Sequence, residues 1–385
     1  MHDTTKNLPS QASRELERFA GKRRSNDRVI GWMEKHLTES AHAAMKHCGD
    51  YLVFLEDESR EHRKLEVGYF CKQRLCAGCA WREAVANAQC ISAISQAMIE
   101  QGYIMLMVTL TVPNVPGAKL RKTMQHLSRS WLRLAKRERY AVWRDGVRKM
   151  EITYNAKTDT YHPHMHMVVY VKPGYFARGY ISRAQLLKDW RECTGQPEIT
   201  QVDVRRCRNQ GSTNAVLEVS KYAAKASDYA HNEEVLDTFY AALHHSRLLT
   251  YFGKPKDLRT DYQCGRLAKY EETDTTRYTM RVTYIWQRLV DAAAKAADAD
   301  RALQRDHAIA ARKMPTKEWR YVEKSLEPYD MDAAELARLQ RDERKLQAMA
   351  MEKAKRATEL DELFRTSWVR EFAKVDDADM EVEDD

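Results

Sequence analysis

The chain has 385 residues, 31% of them charged, with a formal net charge of +8 at pH 7 and a mean hydropathy of -0.68. No apolar run approaches the roughly 20 residues that a membrane-spanning helix needs, and the polar N-terminus lacks the apolar core of a secretion signal, so we expect a cytoplasmic protein without a membrane partner. Eight acidic residues against one lysine in positions 371–385 leave the rest of the chain strongly basic, which is compatible with a polyanionic partner.

The N-terminal part is predicted to be an arm and a helix over residues 1–45. Residues 1–28 are polar and charged, which predicts a flexible arm or a short helix. From residue 29 to residue 46 apolar side chains recur at helical spacing, and Gly49 is a natural stop for this helix.

A cysteine-rich module follows over residues 46–100, around two short strands. In a chain expected in the cytoplasm, clustered cysteines indicate metal binding more than disulfides. Cys76 and Cys79 are separated by two residues with Gly78 in the turn, and four thiolates would close a tetrahedral structural zinc site without an open position. The predicted zinc ligands are Cys48, Cys71, Cys76 and Cys79. The alternatives to Cys48 as the fourth ligand are His47, His62 and Cys90.

The next elements combine an apolar strand with a basic helix. Residues 81–101 are predicted to be helical, and residues 103–112 form a strongly apolar strand that ends before Pro113. Residues 119–145 are predicted to be a helix rich in cations, which either faces DNA or is a solvated surface whose tryptophans dock in the core. The candidate DNA-binding residues are Arg129, Arg133, Lys136 and Arg137.

Residues 148–171 alternate as a β-hairpin around a polar turn. Because successive strand residues point to opposite faces, His164 and His166, together with His162, lie on one face. Neutral imidazole is a common metal ligand, so this spacing predicts a site for a divalent ion. Glu151 becomes the third ligand if its face of the first strand is the histidine face, and His162 is the alternative. A register shift of one residue would turn Glu151 away.

Residues 214–229 are predicted to form one helix that carries three different functional groups. At helical spacing Glu218, Tyr222 and Lys225 share one side, so a carboxylate, a phenol and an amine face the same way. Taken alone, this pattern is typical of an exposed face with a Glu–Lys ion pair. The metal candidate elsewhere in the chain gives it a possible catalytic meaning.

The remaining patterns complete an α+β fold with a central antiparallel sheet flanked by helices. A helix at 182–193 and a strand at 199–204 precede the functional helix, and another helix at 233–252 follows it. We assign residues 101–270 to the central domain and residues 271–385 to a helical accessory region with an acidic tail.

Three motifs in order resemble the rolling-circle replication initiator proteins of small bacterial plasmids, within the HUH endonuclease superfamily. They are the strand ending in Thr109-Leu110-Thr111-Val112-Pro113-Asn114, the His-Pro-His-Met-His segment at 162–166, and the Glu218-x3-Tyr222-x2-Lys225 segment. The cysteine cluster looks like the amino-terminal zinc module of that family. The resemblance covers roughly residues 45–260, and the combination is more specific than any single motif.

The resemblance implies a single-tyrosine nicking and joining enzyme that acts on plasmid origin DNA, single-stranded at the nick site. Tyr222 would attack the scissile phosphate and form a 5′-phosphotyrosine link, Glu218 would activate water for a terminating cleavage, and Lys225 would stabilise phosphate charge. His164 and His166 would be the core pair that holds Mg²⁺ or Mn²⁺, ions suited to hard phosphate oxygens. Host helicase and polymerase are the expected further partners. The alternatives are a transposase or relaxase of the same superfamily and a zinc-containing DNA-binding regulator without catalysis.

Overall fold

The computed structural model describes residues 11–207, 210–221, 223–271, 274–288 and 319–334, and a few positions between 338 and 351. The chain divides into two compact units, Met1–Pro328 and Tyr329–Asp385. In the second unit a short helical stretch at 331–334 begins after Asp330, whose carboxylate accepts the N–H groups of the next turn. A search of the described helices finds none that is long and apolar enough to cross a membrane.

The first unit contains the named helices and strands. The helices are α1 (Gln11–Asp27), α2 (Ile30–Met33), α3 (Glu39–Lys46), α4 (Ala77–Glu100), α5 (Gly117–Ala135), α6 (Tyr175–Arg178), α7 (Arg183–Thr194), α8 (Gln210–Ser220), α9 (Ala226–Tyr229), α10 (Glu233–Leu243) and α11 (Lys254–Gln263). The strands are β1 (Tyr51–Glu56), β2 (Arg63–Gly68), β3 (Ile104–Thr111), β4 (Asp145–Asn155), β5 (Thr160–Val171), β6 (Val202–Arg206), β7 (Leu249–Phe252), β8 (Met280–Arg288) and β9 (Trp319–Pro328).

A five-stranded antiparallel sheet in the order β6-β3-β5-β4-β7 lies at the centre of this unit. On β5, Met165 and Met167 face the core that contains α5, α7 and α10, whereas Val168 faces the core that contains α4 and α8. Side chains alternate along a strand, so His164 and His166 belong to the α4–α8 face. The predicted α+β fold with a central antiparallel sheet is confirmed.

A second antiparallel sheet, in the order β2-β1-β8-β9, joins the two ends of the first unit. Phe19 of α1 packs edge-on against Phe54 of β1 at 5.8 Å between ring centroids, beside Val282 and Trp286 of β8. The helical region predicted over residues 271–385 is therefore wrong over β9, which is a strand. Pairing with β8 overrides the local helical preference of this segment.

Two predicted helices are shorter or interrupted. The helix expected from residue 29 to residue 46 breaks at Leu37, which is extended, and the hydroxyl of Thr38 accepts the Ala41 N–H to begin α3. A threonine at this position is a better cap than an interior helical residue. The helix expected over 119–145 ends at Ala135, because the chain must turn before β4.

The helix predicted over 233–252 is also wrong in its second half. α10 ends at Leu243, and residues 249–252 form β7, which pairs with β4. This Leu-Thr-Tyr-Phe stretch is of the apolar, β-branched and aromatic type that fits a sheet, and β4 offers it an open edge.

Candidate metal and nucleotidyl-transfer site

The two histidines of β5 and one glutamate of β4 form a compact group. Glu151 lies directly opposite His164 in the β4–β5 ladder, so its side chain is on the histidine face. Its Oε2 atom lies 3.6 Å from Nε2 of His164 and 3.3 Å from Nε2 of His166. The potential ligand atoms of the three residues all lie within 4.8 Å of one another, so the group could hold a metal ion.

The hydrogen bonds of the imidazoles favour a cation between them and Glu151. Nδ1 of His164 donates to the carbonyl oxygen of His162 at 3.1 Å, so in the neutral ring the lone pair of Nε2 faces the carboxylate. Two acceptors that face each other need a metal ion or a proton between them. Burial raises the pKa of Glu151, but when both imidazoles are protonated their hydrogen bonds and positive charges hold that pKa well below its usual range. The donor set therefore fits a divalent ion.

Thr109 and Asn114 position the histidines, and neither had been assigned a role by sequence. The Thr109 hydroxyl lies 3.1 Å from Nδ1 of His166, which orients that ring toward Glu151. Both residues belong to the apolar-strand motif, so their place in the motif was the available signal. His162 donates to the side-chain oxygen of Asn114 at 2.9 Å and is not part of the three-residue group. Glu151 rather than His162 is thus the third side chain of the cluster.

Glu218 of α8 adds a second carboxylate at the edge of the cluster. Its Oε1 atom lies 3.3 Å from Nε2 of His166, and its Oε2 atom pairs with the ammonium group of Lys221. About a third of the Glu218 side chain is exposed, whereas Glu151 is buried. Glu218 is therefore accessible to solvent and also contacts the group of Glu151, His164 and His166, which we call the histidine cluster.

The single helix predicted over residues 214–229 is wrong. α8 ends at Ser220, and α9 begins only at Ala226, with Lys225 in an extended conformation before it. Lys225 therefore does not continue the helical face of Glu218 and is exposed. Tyr222 lies outside the described residues. Tyr229 of α9 is only 2% exposed.

The segment between α8 and α9 is held against the edge of β4. The N–H of Ile152 donates to the carbonyl of Ala223 at 2.8 Å. The Asp228 carboxylate accepts the N–H groups of Tyr154, at 3.5 Å, and of Lys225, at 3.1 Å. These bonds compete with helix continuation, because β4 offers unpaired N–H groups beyond its contact with β7. They hold Ala223 close to Glu151, the neighbour of Ile152.

The four predicted zinc ligands come together in one cluster. The Sγ atom of Cys48 lies 3.4 Å from that of Cys76 and 3.6 Å from that of Cys79, and Cys71 lies 3.7 Å from Cys79. Backbone N–H groups of Cys71, Lys72 and Cys79 point to these sulfurs, as does the side-chain amide of Asn26. Such donors stabilise thiolates around a metal. The alternatives have other partners, namely Asp50 for His47, Asp57 for His62 and Tyr251 for Cys90.

The basic helix α5 lies on the sheet face opposite the histidines, since its apolar side packs with Met165 and Met167. Arg133 donates to the carbonyl of Cys193 at the end of α7, and Arg137 pairs with Asp189 and Glu192 of α7. These two arginines therefore have intramolecular roles. Arg129 and Lys136 are exposed. DNA binding by the four residues stays a prediction, and any such contact would be separate from the histidine cluster.

Lys149 is a further residue that sequence patterns had not singled out. It lies directly opposite His166 on the histidine face, is 4% exposed, and makes no hydrogen bond or ion pair with any described residue. Burial lowers the pKa of Lys149, and the Glu83 carboxylate counteracts this shift. Its position two residues before Glu151 was visible in the sequence, but its burial depends on the elements that pack against β4.

Comparisons with known proteins agree with these features. The family model described as replication protein matches residues 62–291. A protein named Protein rep from Staphylococcus aureus is 36% identical over 222 residues, which are 57% of this chain and 96% of that protein. Proteins of the same name from Streptococcus pneumoniae and Bacillus amyloliquefaciens are 34% and 31% identical, and the matches cover 57% and 60% of this chain and 71% and 77% of those proteins. No solved structure matches this chain.

Proposed function

This chain belongs to the replication protein family, and we propose that it initiates plasmid rolling-circle replication by nicking and rejoining one strand of the origin DNA. The observation that carries the proposal is the cluster of Glu151, His164 and His166 beside a chain segment that is bonded to β4 through Ala223 and Asp228, soon after position 222. A metal platform with a neighbouring tyrosine is what single-strand nicking by a protein nucleophile requires.

The first step is a transesterification by Tyr222. Its phenolic oxygen attacks the scissile phosphorus, the bond from phosphorus to the 3′-oxygen breaks, and that oxygen takes up a proton to become a free 3′-hydroxyl. The products are a 5′-phosphotyrosine link and a primer end for DNA synthesis. A divalent ion, when bound, polarises a phosphate oxygen and lowers the barrier to attack. Glu151, His164 and His166 would hold that ion, with Thr109 fixing the orientation of His166.

The second step ends replication, and Glu218 is suited to it. Rejoining is the reverse reaction, in which a 3′-hydroxyl attacks the phosphotyrosine and releases the phenol, so no ATP is needed. For termination, Glu218 would accept a proton from a water that cleaves a second strand. Its partial exposure and its contact with His166 support this role. Lys225 would add positive charge near the phosphate, on the segment that enters α9 rather than on α8.

The metals are assigned from the donor sets. For the four-cysteine cluster we propose a structural zinc ion, since four thiolates are the usual ligands of a closed tetrahedral zinc site. For the histidine cluster we propose Mg²⁺ or Mn²⁺, with two imidazoles and a carboxylate leaving positions for phosphate oxygens. Origin DNA, host helicase and polymerase would be the partners, in the cytoplasm.

The test is covalent capture of DNA. The protein is incubated with Mn²⁺ and single-stranded oligonucleotides tiled across the origin of its own plasmid, and adducts are resolved on denaturing gels. We expect an adduct with the wild-type chain and none with Tyr222→Phe. Tyr180→Phe is the control, because Tyr180 is 60% exposed and lies outside the proposed site, and this variant should form the adduct normally. An adduct with Tyr222→Phe would identify a different nucleophile.

A further inference from the structure

A cationic cavity of about 220 Å³ lies beside the histidine cluster, bounded by α4, the end of α8, β4 and the loop between α10 and β7. Among the described residues that line it, five are cationic and only Glu83 is acidic. The cationic residues are Arg74, Lys149, Lys221, Arg247 and Arg259. We refer to this site as the cationic cavity.

Four of the five cations form no ion pair with a described residue, and two of these, Lys149 and Arg247, also make no side-chain hydrogen bond or ring contact there. Lys149 is 4% exposed and forms no ion pair, and Glu83 forms none with it. Arg247 at the rim likewise forms no hydrogen bond or ion pair with a described residue. Burying a charged amine without a partner is costly, so the cavity is prepared for an anion.

The other lining groups indicate what kind of anion fits. The side-chain nitrogen Nδ2 of Asn87 is buried without an acceptor, and Asn87 lines the same cavity. Unpaired donors that surround one space suit a ligand that offers only acceptors, and a phosphate group has this property. Lys149 lies opposite His166 in the β4–β5 ladder, so their Cβ atoms are about 5 Å apart and the cavity borders the metal cluster.

We infer that the cationic cavity binds a backbone phosphate of the DNA strand that lies next to the scissile phosphate. This inference rests on the proposed function, because it takes the DNA to be bound at the histidine cluster. The strand would then be fixed at two neighbouring phosphates, one at the metal cluster and one between Lys149 and Arg247. Two fixed points would set which phosphate faces Tyr222.

The first measurement is binding of single-stranded DNA in buffer without Mg²⁺ or Mn²⁺ and without a strong chelator, so that neither a metal at the histidine cluster nor cleavage contributes and the proposed zinc is kept. The probe is the origin oligonucleotide that forms the adduct or, if none does, the one that binds most tightly. Lys149→Met should weaken binding about tenfold or more, as for loss of a charged hydrogen bond, and should reduce the slope of log affinity against log salt by about 0.7. Lys188→Met removes the same charge from an exposed position on α7, on the sheet face opposite the histidines, and should change the affinity much less.

The second measurement locates the phosphate. Each linkage of the probe is replaced in turn by an uncharged methylphosphonate. We expect one linkage, beside the scissile one, at which the replacement weakens DNA binding by the wild-type chain about tenfold. The same replacement should not change DNA binding by Lys149→Met. Arg247→Gln, which changes a surface residue, should give the same pattern and guards against misfolding of the buried variant. Identical profiles for the wild-type chain and both variants would overturn the inference.

A free anion is the competing ligand for the cationic cavity, because it offers the same acceptor groups as a DNA phosphate. If inorganic phosphate raises the Tm of the wild-type chain but not that of Lys149→Met, and no methylphosphonate position distinguishes them, the cavity binds a free anion and the DNA assignment is wrong. Because these readouts measure binding, the absence of a Tyr222 adduct would refute the proposed nicking without deciding the role of the cavity.

Discussion

Glu151 faces both imidazoles of the metal cluster, so its charge should dominate metal affinity. Glu151→Gln keeps the size of the side chain but removes the negative charge that faces Nε2 of His164 and His166. We expect Mn²⁺ to bind at least 10- to 100-fold more weakly, because loss of even an outer-shell partner of a metal site commonly costs that much. Isothermal titration of the metal-free chain with Mn²⁺ measures the effect.

Glu198→Gln is the control for this prediction. Glu198 is exposed and has no hydrogen bond or ion pair with a described residue, so its substitution should leave Mn²⁺ affinity unchanged. If Glu151→Gln binds Mn²⁺ as the wild-type chain does, the ion is held elsewhere.

Glu218 should separate the two chemical steps. Glu218→Ala removes a carboxylate that contacts His166 and Lys221 but leaves Glu151 in place. We expect the first nick to form at a rate within a few-fold of wild type, while hydrolytic termination falls by about 10²-fold or more, as for loss of a general base. Gel assays with one and with two nick sites measure the two steps. Equal loss of both would mean that Glu218 serves the metal cluster instead.

The sequence predicts those parts of the site whose pattern lies within one hairpin, and not those that depend on contacts with distant elements. Alternation along β5 was enough to place His164 and His166 on one face, because a strand fixes side-chain direction, whereas the side of Glu151 depended on the register between β4 and β5. The roles of Arg133 and Lys149 could not be predicted in this way. An arginine that binds carbonyls of α7 and one that binds DNA have the same local sequence, and a buried lysine is recognised only when the elements around it are known.

Among the elements, the connection between α8 and α9, which contains the proposed nucleophile Tyr222 in sequence, is held against β4 beside Glu151. Asp228 accepts two backbone N–H groups there, from Tyr154 and Lys225. Asp228→Ala should cost about 1 kcal/mol of stability, the typical effect of losing such a cap. It should also slow adduct formation while Mn²⁺ affinity is retained, because Glu151 and the histidines do not depend on this bond. Urea unfolding and adduct kinetics measure the two effects.

Ser227→Ala provides the matched control in the same short helix. Ser227 is exposed and its hydroxyl has no partner among the described residues, so stability and adduct kinetics should stay close to wild type. Equal effects of both substitutions would show that the segment is insensitive to its bond with β4.

The break between these helices also shows where local patterns fail. Residues 214–229 contain no proline or glycine, so nothing in their own sequence interrupts a helix. The helix is interrupted by a tertiary contact, because the N–H of Ile152 in β4 donates to the carbonyl oxygen of Ala223. The strands of the hairpin were predictable because their alternation and their turn agree. Strand β7 could not be predicted in this way, because it forms by pairing with the open edge of β4.

The cysteine cluster joins three elements, with Cys48 after α3, Cys71 after β2, and Cys76 and Cys79 at the start of α4. We expect one zinc ion per chain, and Cys76→Ser should abolish its binding. The substitution should also lower the Tm, because the free energy of metal binding at such sites stabilises the folded state. Mass spectrometry of the native protein and a zinc-release assay test this. Cys264→Ser, outside the cluster, should retain the ion, and full zinc content in Cys76→Ser would refute the assignment.

Across the whole first unit, the sheet β2-β1-β8-β9 ties residues near the cysteine cluster to the far end of the chain. Glu56 of β1 is fully buried, and it accepts a hydrogen bond from Tyr284 of β8 at 2.8 Å and pairs with Arg63. A buried carboxylate needs such partners, so β1 is held to β8 by this hydrogen bond and to β2 by the ion pair, in addition to apolar packing. The second sheet therefore combines two strands that precede the histidine cluster in the sequence, β1 and β2, with two that follow it, β8 and β9.

This arrangement predicts different effects for two truncations. A chain ending at Pro328 keeps β8 and β9 and should retain its Tm, its zinc and its affinity for single-stranded DNA within a few-fold, because Met1–Pro328 is a compact unit. A chain ending at Glu271 loses both strands and exposes Leu52 and Phe54, each worth about 1.5–3 kcal/mol when buried. Its Tm should fall by about 10 °C or more, and its zinc should be released more readily. Calorimetry and zinc release measure both chains, and equal Tm values would show that the second sheet is dispensable.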